Sequence, residues 1–529
     1  MSEVKQQETI IYDIAIVGAG INGCGIARDA AGRGLKTFIC DKGDLGGETS
    51  CYSSKLIHGG LRYLEFFEFG LVRKALKERD TLMHIAPHLV HEQRFIIPHS
   101  PHLRPQWLIR LGLFLYDNLH WSKTLKGSES VSLRYSPLKD EYEQGFAYSD
   151  CKTDDHRLVI ANALDAQNNG AAVQPYTTCT HAVIQNGLWR LTLETPDGKE
   201  SYAYAKSLVN ATGPWVETFI KDNLKTQTAK HLKLVKGSHI VTHKLYEGNQ
   251  AYTFQDKEGR IVFTIPYEKD YTLIGTTEEA FKGNPSDAQI SNSEIEYLRD
   301  VISAYFDKPI TSSNTLWEFA GVRPLIDEGG DSARKTTRDY SVELNTQNIR
   351  PLVHIWGGKL TTYRVLAEDV LQKLEPYLGK STKWSAMTPL NTSVQPQSMA
   401  KGLGAQYPWL AEDMIQRFVF HYGKNSLLIL KGCTNMKDMG EHYGAGLYEQ
   451  EVRYLIKEEW ARTADAVLWH RTKCGLHMTK EQRDTFEGVF ENILSDMQRL
   501  NKIEAFEEKE REDGGIETAP HTIASTPPQ

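Results

Sequence analysis

The sequence predicts an α/β protein made of a Rossmann-type nucleotide-binding domain, an inserted mixed-sheet domain and a helical C-terminal domain. Three observations carry that expectation. An apolar run ends in Gly18-Ala19-Gly20-Ile21-Asn22-Gly23 and continues into an Ala- and Gly-rich helical pattern. A second strand-rich block spans residues 239–277, far from that fingerprint. Beyond residue 388 the periodicity turns helical: Tyr448, Val452, Leu455 and Ile456 share one face, while Glu449, Glu451, Lys457 and Glu458 occupy other positions.

Residues 12–17 read as a strand, 21–32 as a helix and 36–40 as a second strand ending at Asp41, a β-α-β unit. In G-x-G-x-x-G the first glycine permits the tight turn and the second lets backbone approach a pyrophosphate. The third lets helix and strand pack closely, and the helix N-terminus faces the phosphate charge. Asp41 follows Gly23 by 18 residues, where a carboxylate accepts ribose hydroxyl hydrogen bonds and repels a 2′-phosphate, disfavouring NADP. Residues 94–145 read as irregular and rich in His, Pro and aromatic residues. Strand patterns return at 171–183, 189–193 and 207–210, with a helix at 292–305. A strand at 351–355 runs into Gly357-Gly358 and a helix at 362–374.

These divisions predict a discontinuous nucleotide-binding domain (residues 1–95, 145–238 and 315–388) and a substrate or cap domain (96–144 and 239–314). A helical domain (389–506) and a disordered tail (507–529) follow; the tail is charged, then rich in Pro, Thr and Ser, with few apolar anchors. The 68 acidic residues outnumber 61 basic ones, and the net charge of −7 argues against nucleic acid as a partner. Residues 1–8 are too polar for a secretory signal peptide, and no apolar run reaches the roughly 18–20 residues of a bilayer span. The seven cysteines are scattered without a C-x-x-C pair. They are expected to be free thiols in a reducing, cytoplasmic setting, with no metal site.

The fingerprint alone does not separate FAD from NAD. Three later elements favour FAD. Residues 210–215, Asn-Ala-Thr-Gly-Pro-Trp, follow an apolar strand and bring backbone near the same nucleotide. Residues 49–55 supply hydroxyls and a cation directly after the ribose acid. Residues 356–362, Trp-Gly-Gly-Lys-Leu-Thr-Thr, form a strand–Gly-Gly–helix junction whose helix N-terminus suits negative charge on a reduced flavin. Cofactor contacts are therefore expected from Gly18, Gly20, Gly23, Asp41, Thr49, Ser50, Ser54, Lys55, Leu56, Cys179, Ala211, Gly213, Gly358, Lys359, Leu360 and Thr361. The stretch Ser-Ser-Lys-Leu-Ile-His-Gly-Gly-Leu-Arg-Tyr-Leu-Glu at 53–65 brings an imidazole, a guanidinium and a Gly-Gly hinge to the reactive end.

That stretch, with 18–25, 210–215, 236–239, 321–325 and 357–363, resembles the aerobic FAD-dependent glycerol-3-phosphate dehydrogenases of the D-amino-acid-oxidase-like flavoprotein group. The helical stretch 448–472, with Glu459-Trp460 and Arg471-Thr472, resembles that family's C-terminal domain. Gly46-Gly47-Glu48 departs from the smaller, less acidic residues expected there. The resemblance implies oxidation of sn-glycerol 3-phosphate to dihydroxyacetone phosphate, hydride passing from C2 to flavin N5 and electrons onward to a membrane quinone. Arg62 and Arg323 are candidates for the phosphate, since guanidinium binds its oxygens in pairs. His58 is the leading base and His239 the alternative, imidazole being suited to proton removal near neutral pH. Lys359 is assigned to substrate phosphate or reduced-flavin charge.

Residues 101–127 carry Arg104, Arg110, Lys123 and Lys126 against Asp117, interleaved with Trp107, Leu108, Leu111, Phe114, Leu115 and Trp121. A basic, aromatic, amphipathic segment too short to span a bilayer suits its headgroup region. The expectation is a cytoplasmic enzyme held peripherally on the inner membrane, with the helical domain a candidate for dimerisation or regulation. An oxygen-using glycerol-3-phosphate oxidase, or an amine or hydroxy-acid oxidase on the same scaffold, is the alternative reading.

Overall fold

The computed structural model describes residues 10–99, 105–311, 314–327, 339–346 and 350–513, with backbone alone for 501–513. The first strand, Ile11–Val17, pairs in parallel with Thr37–Cys40 on one side and Glu200–Asn210 on the other. Leu352–Trp356 extends the sheet beyond Glu200–Asn210, and Ala172–Gln174 extends it beyond Thr37–Cys40. Residues 37–40 and 352–356 are buried throughout, as strands covered on both faces must be. The fingerprint helix Ile21–Gly32 packs there with Asp155–Asn168 and Tyr363–Leu378 over a common core. Strand order reverses between Ile11–Val17 and Glu200–Asn210, and such a switch point opens the crevice in which this fold binds ligands.

The second sheet has ten strands, almost all antiparallel; Val90–Pro98 joins Ala251–Gln255 as its parallel contact. It contains Leu56–Ile57, Val90–Pro98, Gln144–Thr153, Leu232–His243 and Thr315–Ile326. The boundaries expected at residues 95 and 238 therefore fall inside strands of one sheet. The region expected to be irregular, 94–145, holds most of Val90–Pro98 and the helix Gln106–Leu119. The helices at Ile21–Gly32 and Asn292–Tyr305 lie where periodicity placed them.

The C-terminal helices Glu412–Tyr422, Glu449–Glu458 and Lys480–Asp513 enclose Phe418, Tyr422, Val452, Leu455, Phe486 and Phe490. The last of them runs through residues 507–513, where a tail was expected; residues 514–529 lie outside the described residues, as does Arg104. Buried ion pairs join this domain to the rest. Arg157 meets Glu459 with both guanidinium nitrogens (Nη2–Oε1 2.8 Å) and donates through Nε to the His421 carbonyl at 2.7 Å. Arg471 grips Asp44 in the same way (Nη2–Oδ1 2.7 Å), and Lys473 pairs with Asp154.

Candidate active site

The fingerprint turn sits at the switch point. A Cβ at Gly23 would stand 1.8 Å from the Gly18 carbonyl oxygen, so only glycine closes helix onto strand there. The N-cap residue of Ile21–Gly32 is Gly20, which has no side chain to cover the helix end, and a helix N-terminus of this kind suits a pyrophosphate. Ser50 Oγ accepts from the Ile21 N–H at 3.0 Å and stands 3.1 Å from where a Cβ of Gly20 would lie. Asp41 accepts from the N–H groups of Ala19 (2.6 Å) and Gly43 (2.9 Å), yet burial pushes its carboxyl up to about 6. Ala211 follows Glu200–Asn210, and Gly213, at φ +56°, has open space on its Cβ side. A glycine at the helix N-cap, a glycine turn and a buried acid at the end of the second strand fit a dinucleotide.

Other expected cofactor residues are distributed around that crevice. Thr49 Oγ1 donates to the Val322 carbonyl at 2.8 Å. The Lys55 ammonium is committed to Asp155 (2.7 Å) and the Cys51 carbonyl (3.0 Å), which makes it a structural cation. Leu56 is buried in its strand. Cys179 packs in the core beside Cys40, its thiol pushed up to about 12 by burial. Gly358, at φ +115°, would place a Cβ 2.5 Å from Asn22 Nδ2, while Asn22 Nδ2 donates to the Gly357 carbonyl at 3.3 Å. Fingerprint helix and Gly-Gly junction are thus locked together across 335 residues.

The junction continues into Lys359, Leu360 and Thr361. Thr361 Oγ1 accepts from the His58 N–H at 3.2 Å, so two segments 303 residues apart meet. Lys359 Nζ lies 4.1 Å from the Tyr63 ring centroid. His58, Arg62 and Tyr63 line a cavity of about 690 Å³ together with Thr276 and Glu278. Arg62 Nη1 and Arg323 Nη1 each stand 4.0 Å from Glu278, one at each carboxylate oxygen. Arg323 Nη2 also donates to Thr276 Oγ1 at 2.8 Å. The fold therefore brings His58 and Arg62 to one cavity, with Arg323 behind its Glu278 and Lys359 behind its Tyr63.

His239 has a different setting. Its Nε2 shares a 2.9 Å hydrogen bond with Ser54 Oγ, and its ring stacks on Phe319 at 4.9 Å. It is 1% exposed, and burial, reinforced by Arg323 and Lys55, pulls its pKa far below the usual range. Such an imidazole stays neutral and is poorly disposed to take up a substrate proton.

Several participants carry no recognisable sequence signal. Asp150 accepts from Tyr116 (2.7 Å) and Arg79 (3.0 Å), and the Gly59 N–H donates to the Tyr116 hydroxyl at 2.8 Å. That buried network braces the His58-Gly59-Gly60 turn from beneath. Glu278 was equally hidden, in a polar Thr-Thr-Glu run just past the buried strand Tyr271–Gly275.

Fold and site together define an α/β dinucleotide-dependent oxidoreductase. Residues 13–364 match the model of the FAD dependent oxidoreductase family. The chain belongs to that family, and its cofactor is FAD. It is 48% identical over 481 residues to a glycerol-3-phosphate dehydrogenase of Pseudomonas aeruginosa, covering 89% of this chain and 94% of that one. It is 41% identical over 492 residues to a D-erythritol 1-phosphate dehydrogenase of Brucella abortus, covering 91% and 98%. The solved glycerol-3-phosphate dehydrogenase of Bacillus halodurans, complexed with FAD, shares the fold at a TM-score of 0.70 and 24% identity, covering 92% of this chain and 94% of that one.

Proposed function

We propose that this enzyme oxidises sn-glycerol 3-phosphate to dihydroxyacetone phosphate and passes the electrons to a membrane quinone. The observation that carries the reading is the convergence of Arg62 and Arg323 on Glu278, in the wall of the cavity that His58 also lines. A phosphate dianion entering there would replace Glu278 with charge-assisted bonds to two guanidinium groups. Lys359 adds a third cation beside Tyr63. With the phosphate fixed, the C2 alcohol stands near His58, which takes the hydroxyl proton as the C2–H bond breaks. FAD, when bound, supplies the acceptor for the two electrons. The Asp150–Tyr116–Arg79 network holds the backbone that carries His58.

Membrane attachment has its own support. The helix Gln106–Leu119 buries only Leu113 and Tyr116, while Trp107 and Phe114 are 66% and 61% exposed. Phe67, at 80% exposure, belongs to the same apolar rim, and Leu108 and Leu111 line the cavity itself. Arg110, Lys123 and Lys126 are exposed along the same segment. Apolar side chains interleaved with cations suit a lipid headgroup layer, and a quinone would reach the cavity from lipid through that rim. Among the described residues no helix is long and apolar enough to cross a membrane.

Steady-state rates with an artificial electron acceptor test the substrate. kcat/KM for glycerol 3-phosphate is expected to exceed that for D-erythritol 1-phosphate and to exceed that for glycerol by orders of magnitude. A preference for erythritol phosphate would reassign the substrate; equal rates with glycerol would remove the phosphate pocket. Faster reoxidation by oxygen than by a quinone analogue would make the enzyme an oxidase.

A further inference from the structure

A cluster outside the substrate cavity has no part in the chemistry above. Asp44 lies between Thr37–Cys40 and Leu56–Ile57, His156 in the first turn of Asp155–Asn168, and His470 in the π-helical turn Ala466–Arg471. His470 Nδ1 is 3.4 Å and His156 Nε2 3.8 Å from Asp44 Oδ2. The three candidate ligand atoms all lie within 4.8 Å of one another, the one such group of three among the described residues. The two imidazoles stack with centroids 5.0 Å apart and planes 29° from parallel.

His156 is 1% exposed, and neither ring nitrogen has a hydrogen-bond partner. A buried imidazole left in that condition is costly, and a cation on its lone pair would relieve the cost at one nitrogen.

The geometry points to a divalent transition-metal site, with Zn²⁺ the best match, formed by Asp44 Oδ2, His156 Nε2 and His470 Nδ1. Imidazole and carboxylate are ligands of this class. Tetrahedral bonds of about 2.0–2.1 Å put ligand atoms roughly 3.3 Å apart, so the observed 3.4 and 3.8 Å spacings need small side-chain shifts. The partly exposed His470 borders a cavity shared with Tyr52 and Trp469, leaving the fourth position to water. Arg471 opposes a cation, yet with Asp44 it forms a neutral pair. Its Nη1 donates to Oδ2 itself, while Nη2 bonds Oδ1 at 2.7 Å and the Glu459 carbonyl at 2.8 Å, so the ion would share Oδ2 with Arg471, a partner that orients the carboxylate. His470 comes from the C-terminal domain and the other two from the flavin domain, so the ion would staple the two.

The test uses the flavin-loaded enzyme, stripped with EDTA and titrated with Zn²⁺ against a chromophoric chelator. One tight equivalent per chain is expected, with a thermal midpoint raised by several degrees, and both effects lost in His156→Ala. His470→Gln, at the partly exposed position, decides the matter if His156→Ala does not fold. Zn²⁺ binding absent from wild type, or equally tight in His470→Gln, overturns the proposal. Glycerol 3-phosphate turnover plays no part in the readout.

Discussion

Two groups of arginines do opposite work in this molecule. At the domain junction, Arg157 and Arg471 are 2% and 0% exposed and each grips a carboxylate with two nitrogens. At the cavity wall, Arg62 and Arg323 are 19% and 29% exposed and each has its Nη1 4.0 Å from Glu278. A guanidinium buried in a bidentate pair has no capacity left for an anionic ligand, and its energy goes into holding elements together. A guanidinium held at a distance by a shared partner keeps hydrogen-bonding capacity that an anion can use. Burial and distance, more than residue type, separate the structural arginines from those proposed to bind substrate.

The contrast should show most strongly in stability. Arg157→Ala leaves Glu459 buried without its partner, a loss of about 3–5 kcal/mol, read as a collapse of the thermal midpoint. Replacing both partners, Arg157→Met with Glu459→Leu, should recover most of it, while kcat/KM of the folded fraction stays at the wild-type value. In the cavity, His58→Ala should lower kcat by about 10²–10⁴-fold with the thermal midpoint unchanged. Arg323→Ala should cost about 10–100-fold in kcat/KM for glycerol 3-phosphate, the worth of a charged hydrogen bond, again without a stability loss. A large fall in its melting temperature would place Arg323 with the junction arginines.

Why one arginine pair was legible in sequence and the other was not follows from where the signals lie. Arg62 and Arg323 sit in compact motifs beside glycines, and glycine punctuates backbone in ways a linear reading detects. Asp41 was equally visible, because strand, helix and acid keep a fixed spacing. Glu278, Asp150 and Tyr116 act through contacts made only once strands distant in sequence come together. Lys55 looked like a free cation in a polar run, and only the fold reveals Asp155 waiting 100 residues away. The part of the mixed sheet within 94–145 hid for the same reason: Val90–Pro98 pairs with Gln144–Thr153 across the helix Gln106–Leu119, and composition there is dominated by the aromatic surface.

Smaller effects refine the comparison. The Asp41 carboxyl, at about 6 against an ordinary 3.8, takes up its proton more readily folded than unfolded. Its contribution to apoprotein stability is therefore present below the ordinary value and lost as pH rises through about 6. FAD binding follows the opposite sign, since ribose hydroxyls need the carboxylate. Flavin release, followed by fluorescence, should increase as pH falls through that value, and Asp41→Asn should flatten the dependence. The smallest change is expected at the rim. Trp107→Ser with Phe114→Ser should weaken flotation with anionic liposomes by about tenfold or more, from the apolar area removed, and leave turnover with a soluble acceptor intact.

The most direct measurement is anaerobic addition of one equivalent of sn-glycerol 3-phosphate to the flavin-loaded enzyme while the oxidised flavin band is followed. Bleaching in the wild type, together with much weaker bleaching in Arg323→Ala at the same concentration, is the predicted result. An unchanged wild-type spectrum, or identical bleaching in both proteins, would contradict the assignment of the cavity arginines to a phosphorylated alcohol.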